Sequence, residues 1–208
     1  MIVVEGPDGS GKSTLVQQLR QRYDIPEVIH SAAPPKDAGE LGEQLEQSKK
    51  AIGKLVIQDR TPWITEPVYD VAKNGDEKLS LWLGYAGGVV LMRSVLIYCR
   101  PPTEVIKQHA VESSNPADTP EHLAWVGKNI DNVIDLYDAF MALVKPAVTY
   151  DWTAPSSLNF LELDKMVAKK KIIFDVKAAS KVVGSAKKER HLRSIPKGEL
   201  DGSSSPSK

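Results

Sequence analysis

"GPDGSGKST", residues 6–14, fills every fixed position of the phosphate-cradling pattern G-x-x-x-x-G-K-[ST]. Such a loop works only between a strand and a helix, and both flanks fit. "MIVVE" (1–5) is a short apolar run of the buried-strand kind. "KSTLVQQLRQRY" (12–23) repeats Leu15, Leu19 and Tyr23 at helical spacing. Gly6, Pro7, Asp8, Gly9, Ser10, Gly11, Lys12, Ser13 and Thr14 are therefore the expected binding loop for a nucleoside triphosphate. The glycines let the backbone approach phosphate oxygens, Lys12 reaches the β- and γ-phosphates, and the Ser13 hydroxyl is the expected Mg²⁺ ligand.

Outward from the loop, strands and helices alternate. "EVIHS" is a second strand, "AGELGEQLEQSKKAI" an amphipathic helix and "KLVIQD" a third strand. "EKLSLWLGYAGGVVLMR" is helical, with Gly84, Gly87 and Gly88 weakening its middle. "SVLIYC" is a fourth strand stopped by Pro101 and Pro102. "TPEHLAWVGKNIDNVIDLYDAFMALV" is the longest helix, with Thr119 as N-cap and Pro120 at its first position. "AVTYDW" is a fifth strand and "SSLNFLELDKMVAK" a closing helix. This alternation predicts an α/β three-layer sandwich with a five-stranded parallel sheet. Ligands of such sheets sit beyond the carboxyl ends of the strands, where Gly6, Asp59 and Arg100 fall.

At 208 residues, one domain with appendages is expected. Cys99 is the only cysteine, which excludes an internal disulfide and fits a reducing cytoplasm. No apolar run reaches the roughly 18 residues of a membrane span, and the first residues lack the basic start of a signal peptide. The zero net charge conceals an asymmetry. Residues 165–208 carry twelve Lys or Arg against four Asp or Glu, a balance of +8, which leaves −8 on residues 1–164. The expected division is a P-loop domain over 1–168 and a basic, largely flexible tail over 169–208. The tail is a candidate contact for a polyanion such as DNA, or a solvated end.

"VIQDR" closes the third strand with Asp59 and Arg60. A carboxylate there is placed to share the Mg²⁺ shell or to take a proton from an attacking hydroxyl. The guanidinium beside it suits a phosphoryl group. Lys12, Asp59 and Arg60 are thus the candidate catalytic residues, with Ser13 and Asp59 the candidate metal ligands. Trp63 and Tyr69 are candidates for an acceptor pocket or for ordinary packing. Glu66, expected in a loop, and His30, at a strand end, are candidate acceptor contacts. Trp125, Tyr137 and Phe140 form a helical core stripe. His109 and His122 lack a partner at zinc spacing.

These motifs resemble the thymidylate-kinase-like branch of the P-loop kinases, which carries E-G-x-D-G-x-G-K-[ST]-T and a later D-R. Glu5, Gly6, Asp8, Gly9, Gly11, Lys12, Ser13, Thr14, Asp59 and Arg60 match. "PPTEVIKQ" is similar to the family's proline–glutamate helix start. The resemblance covers about residues 1–168. It implies ATP with Mg²⁺ and an acceptor pocket built from the Asp8 side, Asp59–Arg60 and the helices after them, with Asp8 facing the acceptor sugar.

Three features depart from that family. "QHAVESSNPADTPEHLAWVGK" (108–128) has no arginine where a lid is expected, which leaves Arg100 as the nearest substitute. "TPWITEPVYD" is closer to bacteriophage relatives with a D-R-x-P start and a serine or threonine, glutamate, tyrosine sequence. The basic tail is additional. Together they resemble bacteriophage kinases acting on the hydroxymethyl group of 5-hydroxymethyluracil in DNA, the favoured acceptor. A free deoxynucleoside monophosphate is the alternative, and a nucleotide-binding switch without an acceptor is the rival from another class.

Overall fold

The computed structural model describes residues 1–31, 35–75, 87, 91, 93–112, 119–154 and 160–169. Among them lie strands β1 (Ile2–Glu5), β2 (Val28–His30), β3 (Ile57–Asp59), β4 (Val95–Cys99) and β5 (Val148–Tyr150). The helices are α1 (Lys12–Tyr23), α2 (Ala38–Ala51), α3 (Pro62–Asn74), α4 (Thr103–Val111) and α5 (Pro120–Val144), and residues 160–169 are also helical. The five strands form one sheet in the order β2-β3-β1-β4-β5, and every pairing is parallel. From central β1 the chain first goes to one side of the sheet and later to the other. The end of β1 is therefore the switch point of the sheet, where a ligand crevice forms.

Strand periodicity divides the core between the two faces. Val3, Leu96 and Tyr98 point to one side and pack with Trp63, Ile64 and Val68 of α3 and Val133, Tyr137 and Met141 of α5. Ile2, Val4, Val95, Ile97 and Cys99 point to the other, against Leu15, Val16 and Leu19 of α1 and Leu163 and Val167. Arg22 fastens the 160–169 helix to α1 by donating from Nε and Nη2 to Asp164, at 3.0 and 2.7 Å. The long helix starts as its sequence demands: Thr119 Oγ1 accepts the His122 N–H at 3.2 Å, with Pro120 following.

Residues 62–74 depart from the sequence expectation. The stretch with Glu66, read as a loop, is α3. Pro62 occupies its first turn, and Gly75 ends it in the left-handed region at φ 66, its N–H reaching Val71 O at 2.9 Å. Pro67 lies inside the helix, where a proline costs about 3 kcal/mol. Burial of Trp63, Ile64 and Val68 on one face offsets that local penalty. In the expected helix over 77–93, the described residues Gly87 and Leu91 are helical; the remainder, Arg93 excepted, lies outside the described residues. A Cβ on Gly87 would fall 2.7 Å from Trp63 Cβ, so the glycine permits this close approach. The basic tail beyond Lys169 also lies outside the described residues. No helix among those described is long and apolar enough to cross a membrane.

Two glycines give a stability contrast. A Cβ on Gly9, at φ 77, would fall 2.5 Å from both Ala110 N and Ile106 O of α4, which are backbone atoms unable to rotate away. A Cβ on Gly42, inside α2, meets nothing within 4 Å. Gly9→Ala is expected to lower unfolding free energy by about 1–3 kcal/mol, and Gly42→Ala to raise it by about 0.5–1 kcal/mol. Urea unfolding of both variants checks this, and equal midpoints would contradict the packing of the loop on α4.

Candidate functional site

The loop after β1 is closed by its own groups. Ser10 N–H donates to Pro7 O at 3.3 Å, and Gly6, Pro7 and Ser10 are buried beneath it. A Cβ on Gly6 would fall 2.6 Å from Cys99 O, which explains the glycine. Gly11, at φ 84, is the N-cap of α1 and offers no side-chain cap. The first helical bond is Leu15 N–H to Gly11 O at 3.2 Å. The N–H groups of Lys12, Ser13 and Thr14 therefore have no acceptor within the helix, and no acidic side chain lies in that first turn. Such a terminus attracts anions.

Lys12 completes the cradle. Its side chain is buried and folds back so that Nζ donates to Pro7 O at 2.6 Å and Ser10 Oγ at 3.5 Å. It forms no ion pair among the described residues. Burial and the neighbouring Arg60 pull its ammonium down to about 8. A desolvated cation beside uncapped N–H groups favours a multiply charged anion.

Opposite stand Asp8, Arg60 and Tyr69. Arg60 Nη2 donates to Asp8 Oδ1, and Tyr69 Oη donates to Asp8 Oδ2 at 2.7 Å. Burial works to raise Asp8, but Arg60, Lys12 and Tyr69 outweigh it and hold the carboxyl down at about 2. Burial likewise opposes the charge on Arg60, and Asp8 outweighs it. Arg60 has φ 65, unusual for a residue with a side chain, while its N–H donates to Val4 O at 3.0 Å. This left-handed corner, a conformation costing about 1–3 kcal/mol, turns the chain from β3 into α3.

Beneath that corner lies Glu5, fully buried on the face of the sheet used by Val3. Its carboxylate accepts the Thr61 N–H, the Thr65 hydroxyl at 3.2 and 3.3 Å, and the Tyr137 hydroxyl at 3.3 Å. Burial pushes Glu5 up to about 7, against the Thr61 N–H, Arg60 and Lys12.

These elements open on a cleft of about 1080 Å³. Its walls include Asp8, Gly9, Gly11, Lys12, Ser13 and Thr14 from the loop and Asp59 and Arg60 from the end of β3. Glu66 and Tyr69 project from α3. These expected residues thus converge on one cleft, whereas Trp63, His30 and Arg100 do not reach its wall. Trp63 is 7% exposed and belongs to the core, not an acceptor pocket. His30 stands outside the lining and meets Asp59, Nδ1 to Oδ2, at 3.2 Å. Arg100 is turned from the cleft: Nε and Nη2 donate to Asp138 at 2.9 to 3.1 Å, and Nη2 also donates to Thr103 Oγ1 at 3.1 Å.

Glu5 carries no role of its own among the residues expected from sequence, although period-two alternation places it with Met1 and Val3 on one face. Trp152 is not among the expected residues either; its ring would lie 2.7 Å from a Cβ on Gly11 and meets His109 edge-on at 5.5 Å. Its position just past β5, at the loop edge of the sheet, was the available signal. His109 and His122 line the cleft, and among the described residues no three His, Cys, Asp or Glu form a metal-holding group.

No protein-family model matches the chain. Solved structures do. The YorR protein of Bacillus subtilis, in complex with phosphorylated GDP, is 24% identical over 86% of this chain and 96% of that one, with a TM-score of 0.51. Deoxyadenosine kinase from M. mycoides, with products dCMP and a flexible dCDP bound, is 16% identical over 86% and 98%, also at 0.51. Shikimate kinase from Acinetobacter baumannii, in complex with shikimate, is 12% identical over 82% and 93%, at 0.50. The chain has the α/β fold of the P-loop nucleotide kinases, a five-stranded parallel sheet with flanking helices.

Glu5 predicts a pH dependence. A carboxyl whose folded pKa exceeds its unfolded value binds more protons when folded, so stability falls as pH rises from 4.5 through about 7. Glu5→Gln keeps an acceptor for Thr61 but cannot ionise. Urea unfolding at about pH 5 and about pH 8 should show the wild type losing more stability than the variant. Glu66, also shifted upward, contributes equally to both proteins. Equal losses would contradict the burial of a titrating Glu5.

Proposed function

We propose that the chain is a P-loop kinase that transfers the γ-phosphoryl group of ATP to a hydroxyl of a pyrimidine deoxynucleotide. The observation that carries this reading is the buried Lys12 ammonium, free of a carboxylate partner among the described residues and lying beside the uncapped start of α1. In this reading residues 1–168 are the catalytic domain, working in the cytoplasm. The cradle takes the β- and γ-phosphates, whose oxygens replace Pro7 O as partners of Lys12.

The donor set for Mg²⁺ is sparse, as suits an ion held largely by phosphates: the exposed Ser13 hydroxyl and the Asp59 carboxylate, both on the cleft. Bound there, the ion would neutralise charge on the β- and γ-phosphates. Asp59 takes the proton of the acceptor hydroxyl as its oxygen bonds to the γ-phosphorus and the bond to the β,γ-bridging oxygen breaks. Arg60, oriented by Asp8, stabilises the charge spread over the transferring group. Asp8 and Tyr69 fix the acceptor beside it.

The favoured acceptor is the hydroxymethyl group of 5-hydroxymethyluracil in DNA. Support comes from the lack of arginine over 108–128 and the engagement of Arg100 by Asp138, which leave few cations for a free monophosphate. The basic residues of 169–208 would hold the DNA backbone. A free deoxynucleoside monophosphate is the second reading, favoured by the −8 balance of residues 1–164, which repels DNA.

Labelled ATP incubated with free nucleotides and with DNAs bearing normal or hydroxymethylated pyrimidines tests the assignment. Lys12→Ala should lower transfer by at least about 100-fold with the fold intact. Activity within a few-fold of wild type would overturn the kinase assignment. Removing residues 169–208 should weaken DNA binding and leave ATP binding unchanged. The log–log salt slope should shrink by about 0.9 for each DNA phosphate that the tail no longer neutralises. Transfer to free nucleotides alone, indifferent to truncation, would move the acceptor to the second reading.

A further inference from the structure

Strands β2 and β3 pair in parallel with His30 opposite Asp59. Residues so paired stand on one face of the sheet, on strands about 4.8 Å apart. The backbone is pinned on both sides of Asp59: Ser31 N–H donates to Asp59 O at 3.1 Å, and Arg60 N–H to Val4 O at 3.0 Å. His30 Nδ1 lies 3.2 Å from Asp59 Oδ2. A carboxylate only accepts, so Nδ1 carries the proton, in the neutral ring as in the charged one. Among the described residues this is the one hydrogen bond made by the Asp59 carboxylate. The Asp59 side chain is 12% exposed and that of His30 57%, so the acid stands in the site and its holder at the rim.

Without that hold, the group for Asp59 to meet is Lys12. Both line the cleft. The Asp59 charge already acts on the Lys12 ammonium, supporting it alongside Asp8 against burial and Arg60. Arg60, next in the chain, has Asp8 bonded to it. Lys12 has only Pro7 O and Ser10 Oγ, two neutral acceptors. A carboxylate free to turn beside a desolvated ammonium pairs with it. That pairing would neutralise the cradle, and a phosphate would then have to displace an anion instead of a carbonyl. Holding Oδ2 toward β2 prevents it and leaves Oδ1 for the ligand in the cleft.

We propose that His30 is a positioning residue, which anchors Asp59 toward β2 and so keeps Lys12 available to phosphate. The inference rests on the kinase reading for the identity of the cradle, and it gives the edge strand a part in nucleotide binding. His30 does not line the cleft, so its effect passes through Asp59. Losing the imidazole therefore weakens the grip on the phosphates even without metal, and only while residue 59 is charged.

The test uses the full chain and the non-hydrolysable β,γ-imido analogue of ATP, with binding followed by titration calorimetry in EDTA. His30→Ala should weaken binding about 10-fold, within the range of coupling between touching side chains. His30→Asn, whose amide N–H can stand close to the place of Nδ1, should restore most of the loss. In an Asp59→Asn background, where that carboxylate no longer competes for Lys12, His30→Ala should change nothing. The His30 side chain is more than half exposed, so these substitutions leave the core intact. Label transfer from ATP to free nucleotides and to hydroxymethylated DNA is measured beside binding.

Metal-free binding that ignores His30→Ala would overturn the proposal. So would a loss that persists in the Asp59→Asn background, or one that His30→Asn does not repair, since either marks an effect that bypasses the hydrogen bond. If transfer proceeds while binding is indifferent to His30, the proposal falls and the kinase reading stands. Coupling of His30 to Asp59 in analogue binding, with no transfer to any acceptor, does the reverse. A wild type that neither binds the analogue nor transfers phosphate overturns both.

Discussion

The carboxylate of Glu5 is the point on which the site depends. It sits at the end of the central strand, out of water, and one side chain gathers three neighbours. The Thr61 N–H comes from the corner after β3, the Thr65 hydroxyl from α3 and the Tyr137 hydroxyl from the long α5. A buried carboxylate is costly unless its lone pairs are occupied, so each neighbour is held in place by the penalty for leaving. The same contacts fix where the phosphate loop departs and where Arg60 projects. Scaffold and site are therefore one network.

Around that hub the charges are distributed unevenly. Lys12 is dry and lacks a carboxylate partner among the described residues, whereas Arg60 is bound to Asp8 and Arg100 to Asp138. The loop end of the cleft thus carries a cation with no bonded carboxylate, while Arg60 opposite is neutralised by Asp8. That polarity orients any ligand with a charged end and a neutral end. It also explains why Asp8 and Glu66, both carboxyls in one cleft, move in opposite directions: Asp8 has a guanidinium and a phenol bonded to it, whereas at Glu66 burial outweighs the unbonded Lys73 and Arg60.

Much of this was legible in the residues, for local reasons. The loop is a contiguous pattern, β1 and α1 carry the periods of a strand and a helix, and Thr119-Pro120 is a cap that acts within four residues. Features set from far away were not legible. Arg100 lies past β4 as expected, but its direction is set by Asp138, 38 residues on. Helix α3 contains Pro67, whose local cost is outweighed by burial that only the assembled core supplies. Once α3 is a helix, Trp63 and Tyr69 fall about 120° apart around it. One enters the core and the other the cleft, a division that a loop assignment could not make.

The contact of Gly9 with α4 has a mechanical meaning. Where helices meet through side chains, rotamer changes absorb small displacements. Gly9 instead meets the Ile106 carbonyl and the Ala110 amide with no side chain between. Backbone pressed on backbone has no slack. Helix α4 is in turn joined to α5 by the cluster of Ile106, Ala110, Val126, Ile130 and Ile134. A push on the outer surface of that pair, even by a fraction of an ångström, is delivered undamped to the turn of chain that shapes the anion cradle.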